Sequence, residues 1–193
     1  MNKYLTNSKL KKIGFKKIGK NCKISKSIST YNLIGSLGDN IRIDDDVQLK
    51  GKIDLKSNVH IARGCTLSGA KHGIFVDDLV SLANYVQIYS SSDDYYSPSI
   101  AVATLNSEMR KKFSKVYEKK IKIGKCCIIG TLSVLLPGAI IGDFSSIGAL
   151  TIVNKKISKG FFFQSKAKEK LKKRDVKLFE RLYKGYKKLN ENK

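Results

Sequence analysis

Two histidines, His60 and His72, are all that this chain of 193 residues holds. A zinc site built on three histidine ligands is thereby excluded. Cysteine is also scarce: Cys22, Cys65, Cys126 and Cys127 occur, with no CxxC pair. That usage favours free thiols in a reducing, cytoplasmic compartment. No apolar run approaches membrane-spanning length, and the opening MNKYLTNSKLKKIGFKK lacks the apolar stretch of a signal peptide. A Walker-type phosphate loop, a GxGxxG fingerprint and a nucleophile elbow are all missing. Acidic residues are few, 16 against 38 lysines and arginines, for a formal charge of +22. Such an excess suits an anionic partner: nucleic acid, a membrane surface or a phosphate-bearing substrate. The plain alternative is a lysine-rich solvated surface. No basic stripe with interleaved aromatics occurs, so nucleic acid is the weakest of the three and is not expected.

What is present is a six-residue period. Ile123, Ile129, Leu135, Ile141, Ile147 and Val153 keep it in the second half. Each is followed four residues on by something small or aliphatic: Cys127, Ser133, Ala139, Ser145, Thr151 and Ile157. Leu37, Ile43, Leu49, Leu55, Ile61 and Leu67 keep it in the first half, and Val76, Leu82 and Ile88 resume it after a three-residue slip. Period six fits neither strand alternation nor helical spacing. It predicts an all-β solenoid of about five triangular coils, with the first and fifth residue of each hexad pointing inward. Gly124, Gly130, Gly142 and Gly148 are expected where the chain bends at corners, a place that favours residues without a Cβ penalty. Cys65 and Cys127 fall at inward slots, where cysteine acts as a small hydrophobe.

Residues 1–36 read as a short basic helix and a lead-in cap, and 37–158 as the solenoid. A long insertion at about 89–120 interrupts it, polar at first and then helical in LNSEMRKKFSKVY. Long insertions in solenoids project from a corner and carry function. Residues 159–193 read as a basic amphipathic helical tail, with Leu171, Leu178, Leu182 and Leu189 near one face and Tyr186 beside them. The tail is expected to cap the end or side of the prism. Its charge also suggests weak docking on an anionic membrane surface.

The stretch Lys122–Lys155, KIGKCCIIGTLSVLLPGAIIGDFSSIGALTIVNK, resembles the hexapeptide-repeat acyltransferases, most tellingly in its LPG, IGD, IGA and VNK pieces. Upstream, IRIDDDV, NVHIA and VQIYSSSDDY look like the sugar O-acetyltransferases of bacterial surface polysaccharide biosynthesis. The resemblance implies a left-handed β-helix, a homotrimer with sites between neighbouring prisms, and acetyl-CoA as donor. It implies direct transfer of the acetyl group to a sugar hydroxyl, assisted by a general base. Two alternatives stand beside it: N-acetylation of a nucleotide-linked amino sugar, and a non-catalytic trimeric β-helix scaffold. Coenzyme binding separates the scaffold from the two enzymes.

Acetyl transfer needs a base, oxyanion donors and two substrates held together. By resemblance His60 is the base, and Asp93 is its rival because related enzymes carry a catalytic histidine at that place. His72, in the slip, is the lesser histidine. Asn84, Ser90, Asp94 and Tyr95 surround Asp93 in sequence and are candidates for binding the sugar. The coenzyme is expected along the last coils, against Gly130, Thr131, Gly148, Ala149, Asn154 and Lys155. Arg174, Lys155, Lys168 and Lys172 are cations available to its phosphates.

Overall fold

The computed structural model describes residues 3–165 and, beyond them, Leu178, Arg181, Lys184, Gly185 and Lys188. The chain divides into two compact units, Met1–Ser91 with Glu118–Lys166, and Ser92–Tyr117 with Ala167–Lys193.

The first unit is a parallel β-solenoid. One 7-stranded sheet forms its first face, through strands such as Arg42–Ile43, His60–Ile61 and Ile128–Ile129. An 11-stranded sheet supplies the second and third faces, because the long strands Ser29–Leu37 and Gln48–Leu55 run on round the corner between them. The inward slots are those the period predicts. Ile61, Leu67, Leu82, Ile88, Ile129 and Leu135 are buried, as are their smaller companions Cys65, Cys127, Ala139, Ser133, Ser145 and Thr151. Each large aliphatic contributes about 1.5–3 kcal/mol by leaving water. The buried hydroxyls are tolerated because they are satisfied: Ser133 donates to the Gly148 carbonyl at 2.9 Å and Ser145 to that of Ser158 at 2.9 Å.

Two expectations change. The first is height: seven strands stack on the first face, more than five coils allow. Coiling starts before Leu37, with Phe15–Ile18 and Lys23–Ile24 already paired to the next turn. A bulge hides it, because the register shifts between Tyr31 and Ile34 and adds one residue to the repeat. The second is the glycines. Gly124, Gly130, Gly142 and Gly148 do not have positive φ; that falls two residues later, on Cys126, Leu132, Phe144 and Leu150, with φ of 55–59°. The glycines serve close stacking instead. A Cβ on Gly130 would stand 2.5 Å from the Ala149 nitrogen in the next coil. In the early coils Asn21, Asn40 and Asn58 fill one such corner, as asparagine tolerates the left-handed region. Their amides form a ladder, each step 3.1 Å.

The slip after Leu67 is a loop between the strands Thr66–Ser68 and Ile74–Val76. In the second unit, Ser107–Phe113 is helical, its first turn capped by Asn106, whose side-chain oxygen accepts the Met109 N–H at 2.9 Å. Met109 and Phe113 are buried. The described tail residues are helical and belong to this unit rather than to the solenoid. Leu171, Leu182, Tyr186 and Leu189 lie outside the described residues. Among the described residues no helix is long and apolar enough to cross a membrane.

Candidate functional site

His60 sits on the outer side of the first face, in register with Arg42 in the coil before it and Ser81 in the coil after. Its ring reaches back one coil: Nε2 lies 2.9 Å from Asp44 Oδ2. The same carboxylate accepts Arg42 Nε at 2.8 Å. Burial alone would raise the Asp44 carboxyl, but the hydrogen bonds from His60 and Arg42 outweigh it and hold the group below the usual range. Asp44 is therefore an anion at neutral pH and can only accept. The proton of a neutral His60 then belongs on Nε2, and Nδ1 keeps the lone pair. The histidine side chain is 39% exposed. The sequence marked His60 but not Asp44 or Arg42, although all lie in quoted motifs. The usable signal was the coil length, which stacks residue 42 on residue 60.

Asp93 ends the short strand Ser91–Asp93 and belongs to the second unit, whereas His60 belongs to the solenoid. Its carboxylate engages no hydrogen bond or ion pair among the described residues. Asp94 differs. Its Oδ1 accepts the backbone N–H groups of Tyr96 and Ser97 at 2.9 and 2.8 Å. Hydrogen bonds from Ser97, then Tyr96, hold its carboxyl below the ordinary value. This carboxylate shapes the loop as an Asx turn and is a poor base. Tyr95 is exposed, and its hydroxyl accepts from Ser92 Oγ at 2.9 Å. Ser90 is 0% exposed, and its hydroxyl has no partner among the described residues. His72 stands 3.6 Å from Glu118, which also pairs with Lys71 at 3.1 Å, so the slip loop is tied by charge.

The positions expected to meet the coenzyme fall in two places. Gly130 and Thr131 stack on Gly148 and Ala149 at the corner that follows the first face, joined by the Leu150 N–H to the Thr131 carbonyl at 2.9 Å. Asn84 extends this column, its carbonyl accepting the Leu132 N–H at 3.2 Å. Asn154 and Lys155 lie one corner further on, between the strands Ile152–Val153 and Lys156–Ile157, with Lys155 Nζ 4.6 Å from the centre of the Phe163 ring. Arg174, Lys168 and Lys172 lie outside the described residues. A groove of about 780 Å³, not foreseen from the repeats, runs along the third face, lined in part by Asp54, Phe75, Asp77, Lys122, Ile140 and Asp143. It is of ligand size.

Comparison with known proteins locates this arrangement. No protein-family profile matches the chain. It is 35% identical over 156 residues to the dTDP-4-amino-4,6-dideoxy-D-glucose acyltransferase of Escherichia coli, covering 79% of each chain. Among solved structures it is similar to AntD, an N-acyltransferase from Bacillus cereus. The complex of an AntD variant with dTDP-4-amino-4,6-dideoxyglucose and coenzyme A matches with a TM-score of 0.78 at 31% identity, covering 97% of this chain and 100% of that one. The complex of AntD with dTDP and 3-hydroxybutyryl-CoA matches with a TM-score of 0.78 at 30% identity, covering 98% and 100%. The chain is thus an acyltransferase with a β-solenoid fold, consistent with the hexapeptide-repeat superfamily. Within that class it belongs to the sugar-nucleotide N-acyltransferase family. Of the acceptors expected from sequence, the relatives favour the amine of a nucleotide-linked amino sugar over a sugar hydroxyl.

Proposed function

We propose that the chain transfers an acyl group from acyl-coenzyme A to the amine of a dTDP-linked 4-amino-4,6-dideoxy sugar. The observation that carries this reading is the full-length likeness to AntD, whose complex holds that sugar nucleotide together with coenzyme A. In the reaction the amine lone pair attacks the thioester carbonyl. A C–N bond forms, the C–S bond breaks, and coenzyme A leaves as the thiol. The nitrogen loses one proton, and the sulfur gains one.

His60 is our candidate for moving that proton, through Nδ1, with Asp44 holding the ring and stabilising it once charged. Asp93, with its unengaged carboxylate, is the rival. Both act on an amine, which is a better nucleophile than a hydroxyl and asks less of its base. Asn84, Ser90, Asp94 and Tyr95 are candidates for the acceptor, Ser90 through a buried hydroxyl that has no partner among the described residues. Backbone groups at Gly130, Thr131, Gly148 and Ala149 are candidates for the pantetheine arm, with Asn154 and Lys155 beyond. Acetyl-CoA is the donor we carry forward from the sequence, in a cytoplasmic setting. We also infer a left-handed wind and a homotrimer. Outward-facing Ile128, Leu150, Ile152 and Phe162 are 56–72% exposed, apolar side chains of the sort a second copy covers.

The test is turnover of dTDP-4-amino-4,6-dideoxyglucose with acetyl-CoA and with 3-hydroxybutyryl-CoA, followed by thiol release and product mass. The expected product carries one added acyl group and survives mild alkali, as an amide does. An alkali-labile ester would return the acceptor to a hydroxyl. Folded protein that releases no thiol with either donor would overturn the reading.

A further inference from the structure

Phe144 occupies a left-handed corner, φ 59°, where the early coils carry Asn21, Asn40 and Asn58. An aromatic gains nothing from that backbone conformation, which asparagine tolerates far better. Phe144 is also half-exposed, so the ring is not held there by the core. Two cations flank it: Lys125 Nζ from the coil before, 5.7 Å from the ring centre, and Lys159 Nζ from the coil after, 5.3 Å away. Lys125 shares its charge with Asp143 at 3.9 Å, and its N–H is accepted by Asp143 Oδ1 at 3.1 Å. Among the described residues Lys159 pairs with no carboxylate. The third-face groove opens onto this corner, since Gly124 and Asp143, the residues preceding Lys125 and Phe144, line it.

We propose that Phe144, Lys125 and Lys159 form a seat for a phosphorylated nucleoside. The base stacks on the Phe144 ring, and the two ammonium groups take its phosphates. Both cations lie near the outer limit of a cation–π contact, and such contacts at exposed sites are weaker than the stacking of a base on an aromatic ring. An arriving base therefore displaces an ammonium from the ring and frees it for phosphate, which a flexible lysine stem permits. Asp143 opposes the phosphate, so Lys159 carries the larger share. This inference rests on the proposed acyl transfer only for its two possible sources: the adenosine end of coenzyme A, or the dTDP end of the acceptor.

Calorimetric titration of the full chain with adenosine 3′,5′-bisphosphate and, separately, with dTDP tests the seat without requiring turnover. Phe144→Asn removes the ring while giving the corner the residue it holds three times elsewhere, and Phe144→Tyr keeps the ring. Wild-type protein should bind at least one probe. Phe144→Asn should weaken that probe by about fivefold or more, Phe144→Tyr should restore it, and Lys159→Ala should weaken it in a salt-dependent manner. A loss confined to the bisphosphate assigns the seat to the donor, and a loss confined to dTDP assigns it to the acceptor. Binding of neither probe by wild-type protein, or equal binding by wild type and Phe144→Asn, overturns the seat. Absence of turnover with intact probe binding would instead count against the proposed reaction and leave the seat standing.

Discussion

Asp44→Asn separates what the Asp44 carboxylate does for folding from what it does for His60. Two charge-assisted hydrogen bonds converge on it, 2.9 Å from His60 and 2.8 Å from Arg42. The side chain of Asp44 is 26% exposed and that of Arg42 61%, so solvent screens the arginine contact to a few tenths of a kcal/mol. The histidine contact is better shielded. Together they are worth about 1 kcal/mol, which in a chain of this size lowers Tm by roughly 2–4 °C. The asparagine keeps the shape and one acceptor oxygen, so no cavity adds to the cost. The pH dependence has a definite sign. The folded carboxyl lies below its ordinary 3.8, so its stabilisation is complete above that value and is lost as pH falls through the lower folded value. Thermal melts of the two proteins should differ at pH 7 and converge in acid, once pH has fallen through that lowered value. In turnover, Asp44→Asn should cost about tenfold in kcat, because the ring loses its charged partner but keeps its place. His60→Asn should cost about 100-fold or more if His60 moves the proton. Equal melts at pH 7, or a difference that persists in acid, would refute the pairing. Full kcat in His60→Asn would pass the role to Asp93.

Other perturbations test the stack itself. Gly35→Ala places a Cβ against the Ile53 carbonyl oxygen, a backbone atom that cannot rotate away, and should cost about 3 kcal/mol or more, read as loss of soluble folded protein or a steep fall in Tm. Ile61 is fully buried between Ile43 and Leu82 on the first face, so Ile61→Ala should lose about 2–5 kcal/mol in denaturant titration. Thiol labelling at pH 8 should mark exposed Cys126 quickly and leave Cys65 unmodified until unfolding, because burial pushes the Cys65 thiol up to about 11.

Much of the solenoid was legible because its interior admits only one pattern. A narrow triangular coil needs a large residue and a small one at fixed slots, and Ile123 with Cys127 or Leu135 with Ala139 announces them. The slip at Ser68–Gly73 and the insertion were readable for the same reason, as places where the rhythm stops. The first coils were not, since one extra residue at the Tyr31–Ile34 bulge puts Ile18 and Ile24 out of phase with Leu37. The glycines do sit at the corners, but they are there for close stacking between coils, whereas the left-handed conformation falls two residues later. At the site, His60 stood out by rarity, whereas its partner Asp44 is one of three consecutive aspartates and is singled out only by the stacking of adjacent coils. That Ser90 is buried was not legible from its polar neighbours in the sequence. The grouping of Phe144 with two lysines was invisible in one dimension, because Lys125 and Lys159 come from the coils on either side.

The central claim is that the acyl group ends on nitrogen. An acceptor labelled isotopically at its sugar amine, incubated with the chain and acetyl-CoA, settles it by NMR of the product. The account predicts a new carbonyl carbon coupled directly to the labelled nitrogen, formed in step with free coenzyme A. A carbonyl that forms without that coupling, or a labelled amine that stays unchanged while thiol is released, would contradict it.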